Sequence, residues 1–348
     1  MNEQADYPDG IRDVDELEEL LSRPTDGVVE TMRRLTGDVL LLGVGGKMGP
    51  TLARMVRRAS DAAGTERRVI GVSRFLTPGL RQRLEAHGIE TIGCDLLDRA
   101  QLDALPDVAN VVYLAAMKFG STGQEALTWA MNAYLPGMVC ERFRQSRLVA
   151  FSTGNVYGMV PVDGGGSRET DPLRPEGDYA ASCVGRERIV AHFSRTLGIP
   201  AVLIRLNYAN ELRYGTLVDV AGQVLAGRPI DVSMGYFNAV WQGDANAMAL
   251  RAFDHAASPP PAVNLAGPER LSVRQVAEQL GRLLGKPVEL TGREAPDALL
   301  SNGRRGYELL GRPQVSLERM IRWIADWLKR GGSTLERPTH FQTRDGKF

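Results

Sequence analysis

The residues Gly43-Val44-Gly45-Gly46-Lys47-Met48-Gly49 follow directly on the apolar run Val39–Leu42. They lead into a helical pattern with Pro50 near its start and Met48, Leu52, Met55, Val56 and Ala59 on one face. Glycines at this spacing let a turn be tight and let backbone N–H groups approach a pyrophosphate, which the positive end of the following helix also attracts. A position between strand and helix is what gives a glycine cluster this meaning; the plain alternative is a glycine-rich loop with no ligand. Gly43, Gly45, Gly46, Lys47, Met48 and Gly49 are therefore the expected cradle of a dinucleotide. The next apolar run ends Val69-Ile70-Gly71-Val72-Ser73-Arg74, with no acid. A carboxylate there holds the ribose 2′-OH of NAD, whereas an arginine accommodates the 2′-phosphate of NADP. Ser73 and Arg74 favour NADP, although Ser73 also suits a plain ribose and Arg74 could simply be solvated.

Other chemistries are excluded by composition. Cys94, Cys140 and Cys183 are an odd number without CxxC spacing, so neither a disulfide framework nor a zinc site is signalled, and a reducing cytoplasm fits. The 42 basic residues balance 42 acidic ones, which removes the basic surplus expected of a nucleic-acid or membrane-surface binder. The polar, acidic start does not resemble a secretory signal, and no window approaches the roughly 20 apolar residues that span a bilayer. A soluble protein acting on a small molecule is expected.

The elements that must position these residues alternate. Short apolar runs at Asp38–Leu42, Arg68–Val72, Glu90–Gly93, Asn110–Ala116, Leu148–Ser152 and Pro200–Leu206 are separated by amphipathic segments such as Met48–Ala59 and Glu125–Phe143. Strand and helix in alternation give an α/β fold, a doubly wound parallel sheet of the Rossmann kind covered by helices on both faces. Residues 1–37 read as a helical extension of two short amphipathic helices, broken around Pro24 and Gly27. After residue 206 the rhythm loosens, with turn signals at Gly215, Gly227, Gly235 and Pro259–Pro261, then two helices over Ser272–Leu284 and Ser316–Lys329. The expected division is 1–37 extension, 38–206 dinucleotide-binding domain, and 207–348 a smaller α+β substrate lobe with an unassigned tail from Gly331.

The ordered series Gly43-x-x-Gly46-x-x-Gly49, Cys94-Asp95-Leu96, Tyr113-Leu-Ala-Ala-Met-Lys118, Asn132, Phe151-Ser-Thr-Gly-Asn-Val-Tyr157-Gly and Tyr179-Ala-Ala-Ser-Cys183 resembles the extended short-chain dehydrogenase/reductases, the NAD-dependent epimerase/dehydratase superfamily. The resemblance runs from about Asp38 to Pro268. It implies that Asp95 and Leu96 lie at the adenine, that Ala115, Ala116 and Asn132 line the cofactor cleft, and that Lys118 reaches the cofactor phosphates. It implies further that Thr153 hydrogen-bonds the reacting oxygen while Tyr179 gives or takes the hydroxyl proton as hydride moves to or from the nicotinamide. Thr153 at a strand end and Tyr179 at a helix start are where a parallel sheet places its site. A homodimer built on the Tyr179 helix is also implied.

One departure stands out. The family pattern places a lysine four residues after the tyrosine, on the same helical face, where its charge lowers the tyrosine pKa. This chain has Cys183 there, and a thiol is mostly neutral at pH 7. Two residues could supply the charge: Arg186, seven positions after Tyr179 and so on the same stripe, and Lys118 from the opposite wall. A solvated surface arginine is the plainer reading of Arg186. Use of Cys183 as a nucleophile finds no histidine in a matching motif among His87, His192, His255 and His340.

In the substrate lobe, Gly154 and Asn155 stand where the family's dehydratases carry an Asp-Glu pair, which disfavours dehydration. No Lys or Arg occurs from Pro229 to Leu250, so a nucleotide-sugar diphosphate would need Arg205 or Arg213. Asn155, Tyr208, Asn210 and Trp241, with Tyr236 and Asn238, suit a smaller polyol or carbonyl compound, although aromatic residues there are as often core. The expected activity is an NAD(P)-dependent oxidoreductase on a sugar, sugar acid or similar small hydroxy or carbonyl compound. A sugar or nucleotide-sugar epimerase with tightly held NAD, or a dinucleotide-binding sensor without turnover, are the alternatives.

Overall fold

The structure is a computed structural model describing residues 7–118 and 120–347; the first six residues of the expected extension and Phe348 at the end of the tail lie outside it. A seven-stranded parallel sheet organises the chain. Its strands are β1 Val39–Leu42, β2 Val69–Ser73, β3 Glu90–Gly93, β4 Asn110–Tyr113, β5 Arg147–Thr153, β6 Ala201–Leu206 and β7 Ala262–Leu265, in the spatial order β7-β6-β5-β4-β1-β2-β3. Continuous apolar runs form these strands because both faces are covered, and Val39-Leu-Leu-Leu42 is buried at every position. Val39 pairs with Val69 on one side and with Asn110 on the other. The strand order therefore reverses between β1 and β4, the place where doubly wound sheets open a crevice.

One apolar layer packs β1 to the helix Gly49–Ala62 and to Val28 and Met32 of the helix Asp26–Arg34. A second layer covers the other face with Leu135, Met138 and Val139 of the helix Leu135–Arg142. A third core belongs to the lobe, where the helices Thr216–Leu225, Val273–Leu284 and Leu317–Lys329 join the N-terminal helix Val14–Leu21. The two extension helices thus go to different cores. Their break lies at residues 22–25, where the Thr25 side chain caps the second helix; Gly27 is inside that helix rather than at the break.

Three expectations are corrected. The segment Ala262–Leu265, placed in the substrate lobe by sequence, is the seventh strand of the main sheet, with Val263 opposite Ile204. Four residues behind a proline run carry too little periodicity to announce a strand. β4 stops at Tyr113 rather than Ala116, because Ala115 turns in beneath Gly43. The helix expected over Glu125–Phe143 carries a wide π turn at Ala130–Tyr134, a feature that often marks functional segments.

Candidate active site

A cleft of about 260 Å³ opens at the switch point, over the carboxyl ends of β1, β4, β5 and β6. Its floor is the glycine turn. Gly43 has φ +91°, and a Cβ there would lie 2.7 Å from the Ala115 nitrogen. A Cβ on Gly45 would strike the Ser73 hydroxyl, and one on Gly49 would strike the Val44 carbonyl. Side chains are thus excluded at all three positions, and Gly46 is left exposed at the head of the helix. Such a bare turn fits a pyrophosphate. Lys47 leans across the turn, its Nζ donating to the Ala209 carbonyl (2.7 Å) and lying 4.4 Å from the centre of the Tyr214 ring. Burial pushes its pKa down to about 7.

The wall beside the turn is the loop after β4. Asn132, in the π turn, clamps it by accepting from the Met117 N–H (2.9 Å) and donating to the Met117 carbonyl (2.8 Å) and to the Ser182 hydroxyl (3.0 Å). The clamp sets Ala116 and Lys118 on the cleft. Asn132 itself is fully buried, so it holds the loop rather than facing a cofactor. Ala115 likewise backs Gly43 instead of lining the cleft.

Thr153 ends β5, and Tyr179 is in the first turn of the long helix Gly177–Leu197. The two side chains line the same cleft, and the Cys183 thiol neighbours the Tyr179 phenol. The Thr153 hydroxyl is paired with Asn155 at 3.0 Å. Burial raises both the Tyr179 phenol and the Cys183 thiol, so neither carries charge at neutral pH. Lys118 Nζ lies 5.8 Å from the centre of the Tyr179 ring, and burial lowers its pKa to about 8.

Arg186 is not a solvated arginine. It is 3% exposed and lines the cleft with Tyr179, with Nη1 donating to the Phe151 carbonyl (2.7 Å), Nη2 to Asn132 Oδ1 (2.8 Å) and Nε to the Asn132 carbonyl (3.3 Å). The spacing that sets it on the Tyr179 stripe also turns it toward the sheet, which is why it is buried.

The opposite wall consists of Leu206, Asn207, Tyr208, Tyr214, Thr216 and Thr339. Thr339 is supplied by the tail. Its N–H (2.8 Å) and hydroxyl (2.5 Å) both donate to Asp219, and its carbonyl faces Lys118 Nζ at 3.5 Å. Beyond it, Phe341 is buried against Phe237, Arg344 pairs with Asp297, and Gly346 abuts Gly177 at the head of the Tyr179 helix. Nothing in the composition of the tail announces this; only Asn207, next to a strand end, could have been picked out by position.

Several expected residues stand elsewhere. Asn210 is buried and caps the helix Thr216–Leu225, accepting from Leu217 N–H. Trp241 is buried against Trp323 in the lobe core, since it lies on the inner face of a short strand. Neither reaches the cleft, whereas Asn155 and Tyr208 do. Ser73, Arg74, Asp95 and Leu96 sit outside its lining, at the ends of β2 and β3, where Arg74 is exposed and Asp95 Oδ1 accepts from Leu97 N–H. Arg205 is locked to Glu187 and to the Tyr157 hydroxyl, and Arg213 to Glu211 and Glu18. Neither is aimed at a diphosphate. Among the described residues there is no cluster suited to a metal ion.

Residues 39–210 match the model of the NAD dependent epimerase/dehydratase family. A dTDP-glucose 4,6-dehydratase of Neisseria meningitidis serogroup B is 28% identical over 191 residues, covering 47% of this chain and 51% of that protein, so the chain spans about half the length of this relative. Similar solved structures include the Thermus thermophilus UDP-glucose 4-epimerase with NAD, at 23% identity and TM-score 0.69, covering 84% of this chain and 99% of that one. They also include the Streptomyces venezuelae dTDP-glucose 4,6-dehydratase DesIV, at 21% and 0.71, covering 84% and 97%. At these identities the structural likeness is one of fold.

Proposed function

We propose, on the premise that the chain belongs to the NAD dependent epimerase/dehydratase family through residues 39–210, that it is an NAD(P)-dependent oxidoreductase acting on a sugar, sugar acid or similar small hydroxy or carbonyl compound. The observation that carries this reading is that Thr153 at the end of β5 and Tyr179 in the first turn of the helix Gly177–Leu197 line one cleft with the bare glycine turn. The bound dinucleotide would accept or supply hydride. The chain's own residues do the rest: the Gly43–Gly49 turn and Lys47 hold the pyrophosphate, Thr153 orients the reacting oxygen, and Tyr179 moves the proton on that oxygen. Ser73 beside Gly45 and the exposed Arg74 favour NADP at the adenosine end.

A small substrate is favoured because Arg205 and Arg213 are committed to carboxylates and the tail occupies the lobe face beside the cleft. Gly154 and Asn155 supply no acid–base pair for dehydration. Sugar epimerisation with retained NAD is the second reading, favoured by the epimerases among the similar structures. A sensor without turnover would need no Thr153–Tyr179 pair. The exposed Leu127, Trp129 and Tyr134, on the segment packed against the Tyr179 helix, support a homodimer through that face. Three free, buried thiols suit a reducing cytoplasm.

The test is to denature purified protein, identify any released dinucleotide by mass, titrate emptied protein with NADPH and NADH, and follow nicotinamide absorbance with a panel of sugars and sugar acids. An empty site preferring NADPH and oxidising or reducing one of the panel supports the proposal. Tightly retained NAD points to the epimerase, and binding of neither cofactor removes the enzyme reading.

A further inference from the structure

Arg186 is a buried guanidinium for which no carboxylate partner is found among the described residues: its three nitrogens donate to two carbonyls and an amide oxygen. The neighbouring carboxylate of Glu187 is engaged by Arg205 and by the Ser152 hydroxyl. Buried charges are ordinarily paired, because leaving water without a counter-charge is costly. Besides Glu187, the groups that act on it include three that can become anions: Cys183 one turn before it, Tyr179 two turns before it, and Tyr113, whose ring centre is 5.7 Å from its carbon.

We infer that Arg186 supplies the positive charge that stabilises ionised Tyr179 during proton transfer, taking over from within the fold the part left vacant by Cys183. This rests on the reading of Tyr179 given above. Among the described residues a second cation near the phenol is Lys118, which donates to the Thr339 carbonyl and is drawn toward Asp219. Its pKa near 8 leaves it neutral in the alkaline range where a tyrosine ionises, whereas a guanidinium remains charged throughout. Thr153 is a polar neighbour on the same cleft. Arg186 acts through Tyr179 and is a positioning residue in that sense.

The test places a trifluorotyrosine, whose phenol ionises in an accessible range, at position 179 and titrates its absorbance in the full-length protein. In Arg186→Gln, which keeps donors toward Phe151 and Asn132 without the charge, the phenol should titrate at least about one pH unit higher. Adding Cys183→Lys to that variant should bring it back down. If the glutamine variant does not fold, Arg186→Lys decides: a titration unchanged from that of the protein with Arg186 supports the role of charge, and a rise of about one pH unit overturns it. An unchanged titration in folded Arg186→Gln also overturns it. In the hydride-transfer assay, Arg186→Gln should lower kcat with little change in dinucleotide affinity, and Cys183→Lys should restore it. Absence of turnover in the unmodified protein would refute the proposed function, while the titration would still decide the role of Arg186.

Discussion

Lys47 shows how burial of one side chain can set a pH dependence. Its amine titrates at about 7, because burial disfavours the ammonium more than Glu211 and Asp219 favour it. Below that pH it is a cation over the phosphate turn, and above it the charge is gone. Dinucleotide affinity should therefore weaken as pH rises through about 7, and Lys47→Met should flatten that dependence; fluorescence titration from acid to alkaline pH checks both. At the other end of the cleft, Tyr179→Phe removes the proton donor and leaves the ring that packs beside Lys118. Hydride transfer should fall by roughly 10²–10⁴-fold with the dinucleotide still bound, the range for loss of a positioned acid or base. A fall in binding instead of rate would show that the hydroxyl serves the cofactor rather than the chemistry.

At the scale of elements, a buried network joins the sheet to the Tyr179 helix. Arg205 of β6 pairs with Glu187 of the helix at 2.7 Å and donates to the Tyr157 hydroxyl at 2.7 Å, and Tyr157 donates to Asn264 of β7 at 2.7 Å. Replacing Arg205 by Met strands the Glu187 carboxylate in the interior. Such a loss costs about 3–5 kcal/mol, so the thermal midpoint should drop by several degrees, and Glu187→Met in the same chain should recover part of it. The turn is as intolerant as the network. Gly49→Ala drives a methyl into the Val44 carbonyl, so the helix must shift off the turn; dinucleotide binding should be lost before the fold is.

For the whole molecule, the tail is one of the elements that tie the lobe to the sheet. It connects Arg213, Asp219, the Phe237 core and Gly177 in succession. Phe341→Ala removes a fully buried ring and should destabilise the protein by about 3–5 kcal/mol, read by chemical denaturation. The exposed Leu127, Trp129 and Tyr134 give an assembly prediction: light scattering should report a dimer, and Tyr134→Glu with Leu127→Glu should yield monomers.

The glycine turn, the parallel sheet and the placing of Thr153 and Tyr179 on one cleft were legible in the sequence, because each depends on local spacing: a strand running into glycines, alternation of apolar runs, a hydroxyl at a strand end and another at a helix start. The positions of Asn210 and Trp241, the seventh strand at Ala262–Leu265 and the Thr339 wall were not. Those depend on which side of a short segment faces inward and on how a tail folds back over some hundred residues of intervening chain, and no local period records either. Arg186 lies between the two cases. Helical spacing set it on the Tyr179 stripe, but only the packing of that helix against β5 and Asn132 decided that its charge would be buried on the same cleft as the phenol instead of standing in water.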